Sequence, residues 1–122
     1  MYSESAEKEL EERTYLSLLY DFYGALLKEN QKRMFEEHIL EDYNFAEIAE
    51  SEGISRQGVH DSIKRATRQL HEYEQKLGLV TRFQKQKQSV KKLQTILQKF
   101  SLPEASEEQK MVEQILTELL EE

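Results

Sequence analysis

A chain of 122 residues, 38% apolar and 34% charged, is long enough to bury one modest core and fits one domain, or one domain with a helical extension, so a second globular domain is not expected. With no cysteine it has neither a disulfide framework nor a thiolate metal site, which suits a reducing compartment, and one proline with four glycines favours helices joined by short turns over sheet. A formal net charge of -7 argues against indiscriminate binding to polyanions, and no apolar run approaches the roughly 20 residues of a membrane span.

The distribution of charge says more than its sum. Residues 1–54 hold five Lys/Arg against fourteen Asp/Glu, residues 55–103 hold eleven against three, and residues 104–122 hold one against seven. A basic middle between acidic ends is what selective phosphate contact requires, although a salt-bridged helical bundle can show the same map. The acidic start lacks the basic region and apolar core of a signal peptide, so a cytoplasmic protein is expected.

From the N-terminus, Leu10, Leu16, Leu18, Leu19, Tyr20, Phe22, Tyr23, Leu26 and Leu27 predict a first helix over about 7–27. It is too apolar for a solitary surface helix, so its later turns should be buried against the bundle or another chain. Lys28, Glu29 and Asn30 interrupt the pattern, and Met34, Phe35, His38, Ile39 and Leu40 predict a second helix reaching about Asp42.

Asn44 followed three residues later by Glu47 is spaced as a capping box and opens a helix running to about Ser51, with Phe45, Ile48 and Ala49 inward. Gly53 supplies the unusual backbone of a tight turn, and Ser55 caps the next helix. Val59, Ile63, Ala66, Leu70, Tyr73 and Leu77 form a seam of about six turns that Gly78 can stop. Residues 44–65 therefore read as a helix-turn-helix.

Beyond it, Val80, Phe83, Val90, Leu93, Ile96, Leu97 and Phe100 keep helical spacing, weakest across Gln84 to Ser89. Ser101 and Glu104 are spaced as a capping box around Pro103, and Met111, Val112, Ile115, Leu116, Leu119 and Leu120 stripe a last acidic helix over about 104–121. The expected fold is all-α: a helical bundle over 1–78 containing the helix-turn-helix, and a C-terminal helical extension over 79–122. The extension packs on the bundle, by antiparallel pairing across Ser101 to Pro103, or in a homodimer.

In such a motif the exposed start of the second helix faces base edges. Arg56 and Gln57 are long donors suited to guanine and adenine, His60 lies one turn on, and Asp61 can accept from cytosine or repel phosphate. Ser55, Lys64, Arg65 and Arg68 form the group that would position the backbone of a nucleic acid. The same residues also fit a merely solvated face, with Lys64 and Arg68, and Asp61 and Arg65, as i, i+4 neighbours, and such motifs also dock proteins. Tyr15, Tyr20, Tyr23 and Tyr43 can stack on single-stranded RNA, but their apolar setting fits core or interface better.

Nothing in the chain points to catalysis or a cofactor. There is no glycine-rich phosphate loop, no nucleophile elbow and no carboxylate pair in an apolar setting. His38 fits a core edge, and His60 and His71 lack metal-ligand spacing, so no metal is assigned.

Glu47-Ile-Ala, Gly53-Ile-Ser, Val59, Ile63, Arg65 and Ala66 together look like the promoter-contacting C-terminal helix-turn-helix of bacterial sigma factors. Asp21-Phe-Tyr, Leu40-Glu-Asp-Tyr, Ile54-Ser-Arg-Gln, Ile63-Lys-Arg and Tyr73-Glu-x-Lys-Leu extend the likeness: over roughly residues 10–100 the chain resembles the YlxM family of small helix-turn-helix proteins. The resemblance implies a regulatory role, and a part in the signal recognition particle pathway because the family's genes lie beside that of the particle's GTPase. It carries over no catalytic residue. Gly58 and His60 stand where Ala and Tyr are expected in relatives, and Gly58 weakens the second helix near its start. The expected function is regulatory nucleic-acid binding, to DNA first. The alternative is an adaptor that acts on the RNA or a protein of the signal recognition particle without sequence-specific DNA binding.

Overall fold

The computed structural model describes residues 4–100 and 106–121. Those residues form helices and turns with no strand, as the composition requires. In chain order these are α1 (Glu4–Tyr23), a 3-10 turn (Gly24–Leu26), α2 (Glu29–Phe35), a π-helical segment (Glu36–Leu40), α3 (Phe45–Glu52), α4 (Arg56–Leu77), α5 (Leu79–Gln98) and α6 (Glu107–Leu119). The chain divides into two compact units, Met1–Gly78 and Leu79–Glu122.

In the first unit α1, α2 and α3 all pack against α4. Leu16, Leu19 and Tyr23 from α1, Met34 and Phe35 from α2, Ile48 and Ala49 from α3, and Val59, Ile63, Ala66 and Leu70 from α4 make up its core. The α4 seam departs from the expected one at its end. Leu77 is 56% exposed, and one turn earlier the carboxylate-bearing Glu74 is only 9% exposed, accepting the Tyr23 hydroxyl at 2.6 Å. A helix repeats every 3.6 residues, so the face drifts, and a buried hydrogen-bond partner recruited Glu74 where apolarity alone selected Leu77.

The first helix ends earlier than the apolar run. At Gly24 the Tyr20 ring lies so close that an added Cβ would meet its ring carbon at 2.6 Å, and the chain tightens into the 3-10 turn. The Tyr20 ring stacks on Phe35 at 5.2 Å, and its hydroxyl donates to Glu36. Burial, and then that hydrogen bond to the carboxylate, push the Tyr20 hydroxyl well above its ordinary range.

The second helix starts earlier than expected, at Glu29, whose charge suits a helix N-terminus. It then widens: the Glu41 amide donates to the Glu36 carbonyl at 3.0 Å, closing a five-residue step. Asp42 follows with φ of 61°, an uncommon conformation for a residue other than glycine. Arg13 secures this corner, donating to the His38 carbonyl and pairing with Asp42, both at 2.7 Å.

In the second unit α5 and α6 pack on one another, and Gln86 of α5 donates to the Leu119 carbonyl at 2.7 Å. Val80, Phe83, Val90 and Leu116 are buried. The expected capping box at Ser101 and Glu104 and the turn at Pro103 lie outside the described residues. Helix α6 is capped by Ser106, whose hydroxyl accepts from the Gln109 amide at 3.1 Å. Ser106 and Gln109 carry the same three-residue spacing as Ser101 and Glu104, so the sequence holds two successive cap signals here.

Candidate nucleic-acid interface

The two-helix unit is assembled by its own local chemistry. Asn44 accepts from the Glu47 amide at 2.8 Å and Glu47 accepts in return from the Asn44 amide at 3.3 Å, a complete capping box that starts α3. Gly53 stops it at φ of 70°, where the left-handed backbone favours glycine, and its amide donates to the Ala49 carbonyl at 2.9 Å. Two residues later the Ser55 hydroxyl accepts from the Gly58 amide at 3.0 Å and α4 begins. Met34, Ile48, Ala49, Val59 and Ile63 share one buried cluster, with Phe45 packed against it, so α2 supports the crossing of α3 and α4.

Two further contacts fix α3. Arg33 of α2 donates to both carboxylate oxygens of Glu52 at 2.6 and 2.8 Å, a two-point grip on the last residue of α3. The Arg33 hydrogen bond holds the Glu52 carboxyl below its ordinary range, and Glu52 raises Arg33 in turn. At the other end the Phe45 ring lies between two imidazoles, His38 at 4.6 Å and His60 edge-on at 5.6 Å. His38 also bonds the Tyr43 carbonyl through Nδ1 at 2.9 Å, which is a structural role at the edge of the core.

All seven residues singled out in α4 and its cap, Ser55, Arg56, Gln57, His60, Lys64, Arg65 and Arg68, are exposed. At about 100° per residue Gln57, His60, Lys64 and Arg68 fall on one stripe opposite Val59, Ile63, Ala66 and Leu70, while Arg65 flanks it and Ser55 and Arg56 sit at the helix start. No acidic residue occupies the first turn of α4, which leaves the positive end of the helix dipole unopposed there.

Arg13 and Arg33 are committed to carboxylates within the bundle. Among the described residues Arg56, Lys64, Arg65 and Arg68 make no ion pair. Asp61 does not bond Arg65, its i+4 neighbour; its carboxylate accepts from Gln57 Nε2 at 2.9 Å and lies 3.6 Å from His60 Nδ1. The Gln57–Asp61 bond was missed from the sequence although its i, i+4 spacing was open to view. Phe45 was read as core, and its place between two histidines has no local signature.

Among the described residues no three of His, Asp or Glu gather as a metal-binding group, and no helix is long and apolar enough to cross a membrane. Tyr23 is core, Tyr20 stacks within the bundle, and Tyr15 lies 6.0 Å from His71, while Tyr43 is exposed.

The sequence is similar to known proteins. The family model described as "Putative helix-turn-helix protein, YlxM / p13 like" matches residues 10–114. A UPF0122 protein of Caldanaerobacter subterraneus subsp. tengcongensis is 49% identical over 79 residues, 65% of this chain and 68% of that protein. A UPF0122 protein of Thermoanaerobacter sp. is 54% identical over 70 residues, 57% of this chain and 60% of its own length. A third, from Desulforamulus reducens, is 40% identical over 106 residues, covering 87% of this chain and 91% of that protein. With a capping box, a left-handed glycine and a capped second helix inside a match of this extent, the chain belongs to the YlxM/p13-like UPF0122 family of helix-turn-helix proteins.

Proposed function

We propose that this protein is a cytoplasmic regulator that binds duplex nucleic acid, DNA first, through the exposed stripe of α4. One observation carries the reading: between Ser55 and His71 four cations, Arg56, Lys64, Arg65 and Arg68, stand exposed with no ion pair among the described residues, against the single carboxylate of Asp61. Cations without internal partners are those available to displace counterions from phosphate. Ser55, Lys64, Arg65 and Arg68 position the backbone, and Arg56, Gln57 and His60 face base edges. No catalytic step is assigned to any residue.

The protein acts as a homodimer formed by its second unit. Leu93, Ile96 and Phe100 of α5 and its C-terminal end, and Met111, Ile115 and Leu119 of α6, are exposed. Helix α5 carries Arg82, Lys85, Lys87, Lys91 and Lys92 with no carboxylate, and α6 carries Glu107, Glu108, Glu113 and Glu118 against Lys110. A second copy related by a two-fold axis sets base against acid twice while covering both apolar stripes.

Binding to a duplex selected from a random pool tests the reading. Affinity should fall steeply with salt, and Arg56→Ala with Lys64→Ala should weaken binding, with the loss of Lys64 flattening the logarithmic salt slope by about 1. Binding indifferent to salt and to both substitutions would overturn it.

A second reading, an adaptor on the signal recognition particle, draws on the family resemblance and on an acidic cleft lined by Glu37, Glu41, Tyr43, Glu47, Ile48, Glu50 and Ser51. Such a surface suits a basic protein. Recovery of the particle's protein or RNA with the full chain, undiminished by excess DNA, would favour it.

A further inference from the structure

Asp61 is out of place on a phosphate-facing surface. It is the one carboxylate between Ser55 and His71, a stretch that also carries Arg56, Lys64, Arg65 and Arg68, and its negative charge opposes the approach of any polyanion. The ordinary explanation for such a residue is an i, i+4 pair with Arg65, and that pair is absent among the described residues. The carboxylate turns the other way along the helix instead. It accepts from Gln57 Nε2 at 2.9 Å and keeps His60 Nδ1 at 3.6 Å, and His60 is itself edge-on to Phe45.

We infer that Asp61 is a positioning residue for sequence reading, holding the Gln57 amide in the orientation that recognises adenine in a DNA major groove. This rests on the nucleic-acid reading of α4. A primary amide has two N–H groups and one carbonyl oxygen. With one N–H given to Asp61, the other N–H and Oε1 remain as an adjacent donor and acceptor, the pair that adenine N7 and N6 require. A free glutamine on a helix surface samples many rotamers and either orientation of its amide, so fixing it removes an ordering cost at binding and disfavours the flipped pairing. Phosphate repulsion and base selectivity then have one source: Asp61 lowers affinity for every duplex and raises preference for one base.

The test uses the full chain and a duplex selected from a random pool, measured beside its single-base variants. The wild type should prefer adenine at one position by roughly tenfold or more, the range of a good bidentate contact. Gln57→Ala should remove that preference. Asp61→Ala should reduce it below about threefold while tightening binding to unrelated duplexes. Asp61→Asn keeps an acceptor for the Gln57 amide without the charge, so it should retain the preference and still bind unrelated duplexes more tightly. A merely structural role for Asp61 would move all sites together and would not be rescued by Asn. An adenine preference that survives Asp61→Ala, or a selected site with no position sensitive to Gln57→Ala, overturns the inference while salt-dependent binding leaves the function standing. Failure of the wild type to bind any duplex overturns both.

Discussion

The Tyr23 hydroxyl donates to the Glu74 carboxylate at 2.6 Å, joining the last turn of α1 to the last turns of α4 inside the core. Both side chains are buried, Tyr23 to 1% exposure, so the bond lies in a medium where an unsatisfied partner is costly. Tyr23→Phe should therefore destabilise the protein by about 1–3 kcal/mol, the range for leaving a buried polar group short of a partner. Urea denaturation of the two proteins measures it. A difference near zero would mean that the bond adds nothing to stability.

Gln31 presents the opposite case. It is 7% exposed and its Oε1 has no hydrogen-bond partner among the described residues. Gln31→Met keeps the length of the side chain and removes the unpaired oxygen, so it should be neutral or stabilise the fold by up to about 1–2 kcal/mol. Thermal melting decides, and a clear loss of stability would show that the amide is satisfied in solution.

The Arg33–Glu52 grip predicts a pH dependence of known sign. Glu52 has its folded-state value depressed below the ordinary 4.5. Its contribution is thus fully present above the unfolded value and is lost as pH falls through the lower folded value. Glu37 acts in the reverse sense: burial, and then the Glu52 carboxylate, raise it, so its charged form weighs against the fold above that raised value. Glu52→Gln should flatten the acid limb of the stability profile, while Glu37→Gln should improve stability at neutral pH. Denaturation midpoints from pH 3 to pH 7 compare all three proteins, and parallel profiles would remove both assignments.

Asn44→Ala should cost about 1 kcal/mol, since it removes the side-chain half of a complete capping box. The loss should concentrate on α3, appearing as faster amide exchange at Ile48 and Ala49 than at Leu16 and Leu19. Equal acceleration throughout would mean that the unit opens only as a whole.

The proposed dimer is tested by Ile96→Glu with Ile115→Glu, which places charge on both exposed stripes. Sedimentation should show the dissociation constant rising at least about 100-fold, on the order of 3 kcal/mol, with the far-ultraviolet helical signal kept. A wild type that sediments as a monomer at tens of micromolar would end the proposal.

What the sequence disclosed was whatever is decided within four residues. Asn44 with Glu47, Gly53, Ser55 and Gly78 are local devices, and each does at its position what its spacing predicts. The exit of α1 was hidden because Gly24 yields to Tyr20, a ring placed by Phe35 from another helix. Leu77 was chosen over Glu74 because periodicity counts apolar atoms and cannot see Tyr23 fifty-one residues away. At the candidate site the residue types were legible and their pairing was not. Asp61 has two candidate partners at equal spacing, Gln57 and Arg65, and only the folded helix distinguishes them.

The π-helical segment at Glu36–Leu40 has a consequence for how the chain can vary in length. A π turn is an α turn with one residue too many, so deleting a single residue there would let the segment close as an ordinary helix. That deletion would turn the chain leaving the segment by about 100° relative to α2, against the packing that holds α3 and α4 in place. The Tyr43 carbonyl would leave His38, Asp42 would leave Arg13, and Met34 would no longer be matched in register to Ile48, Ala49, Val59 and Ile63. The seat of the helix-turn-helix on α2 is thus set by a residue count upstream of it, and the segment between Phe35 and Asn44 cannot be shortened by one residue as an ordinary loop could.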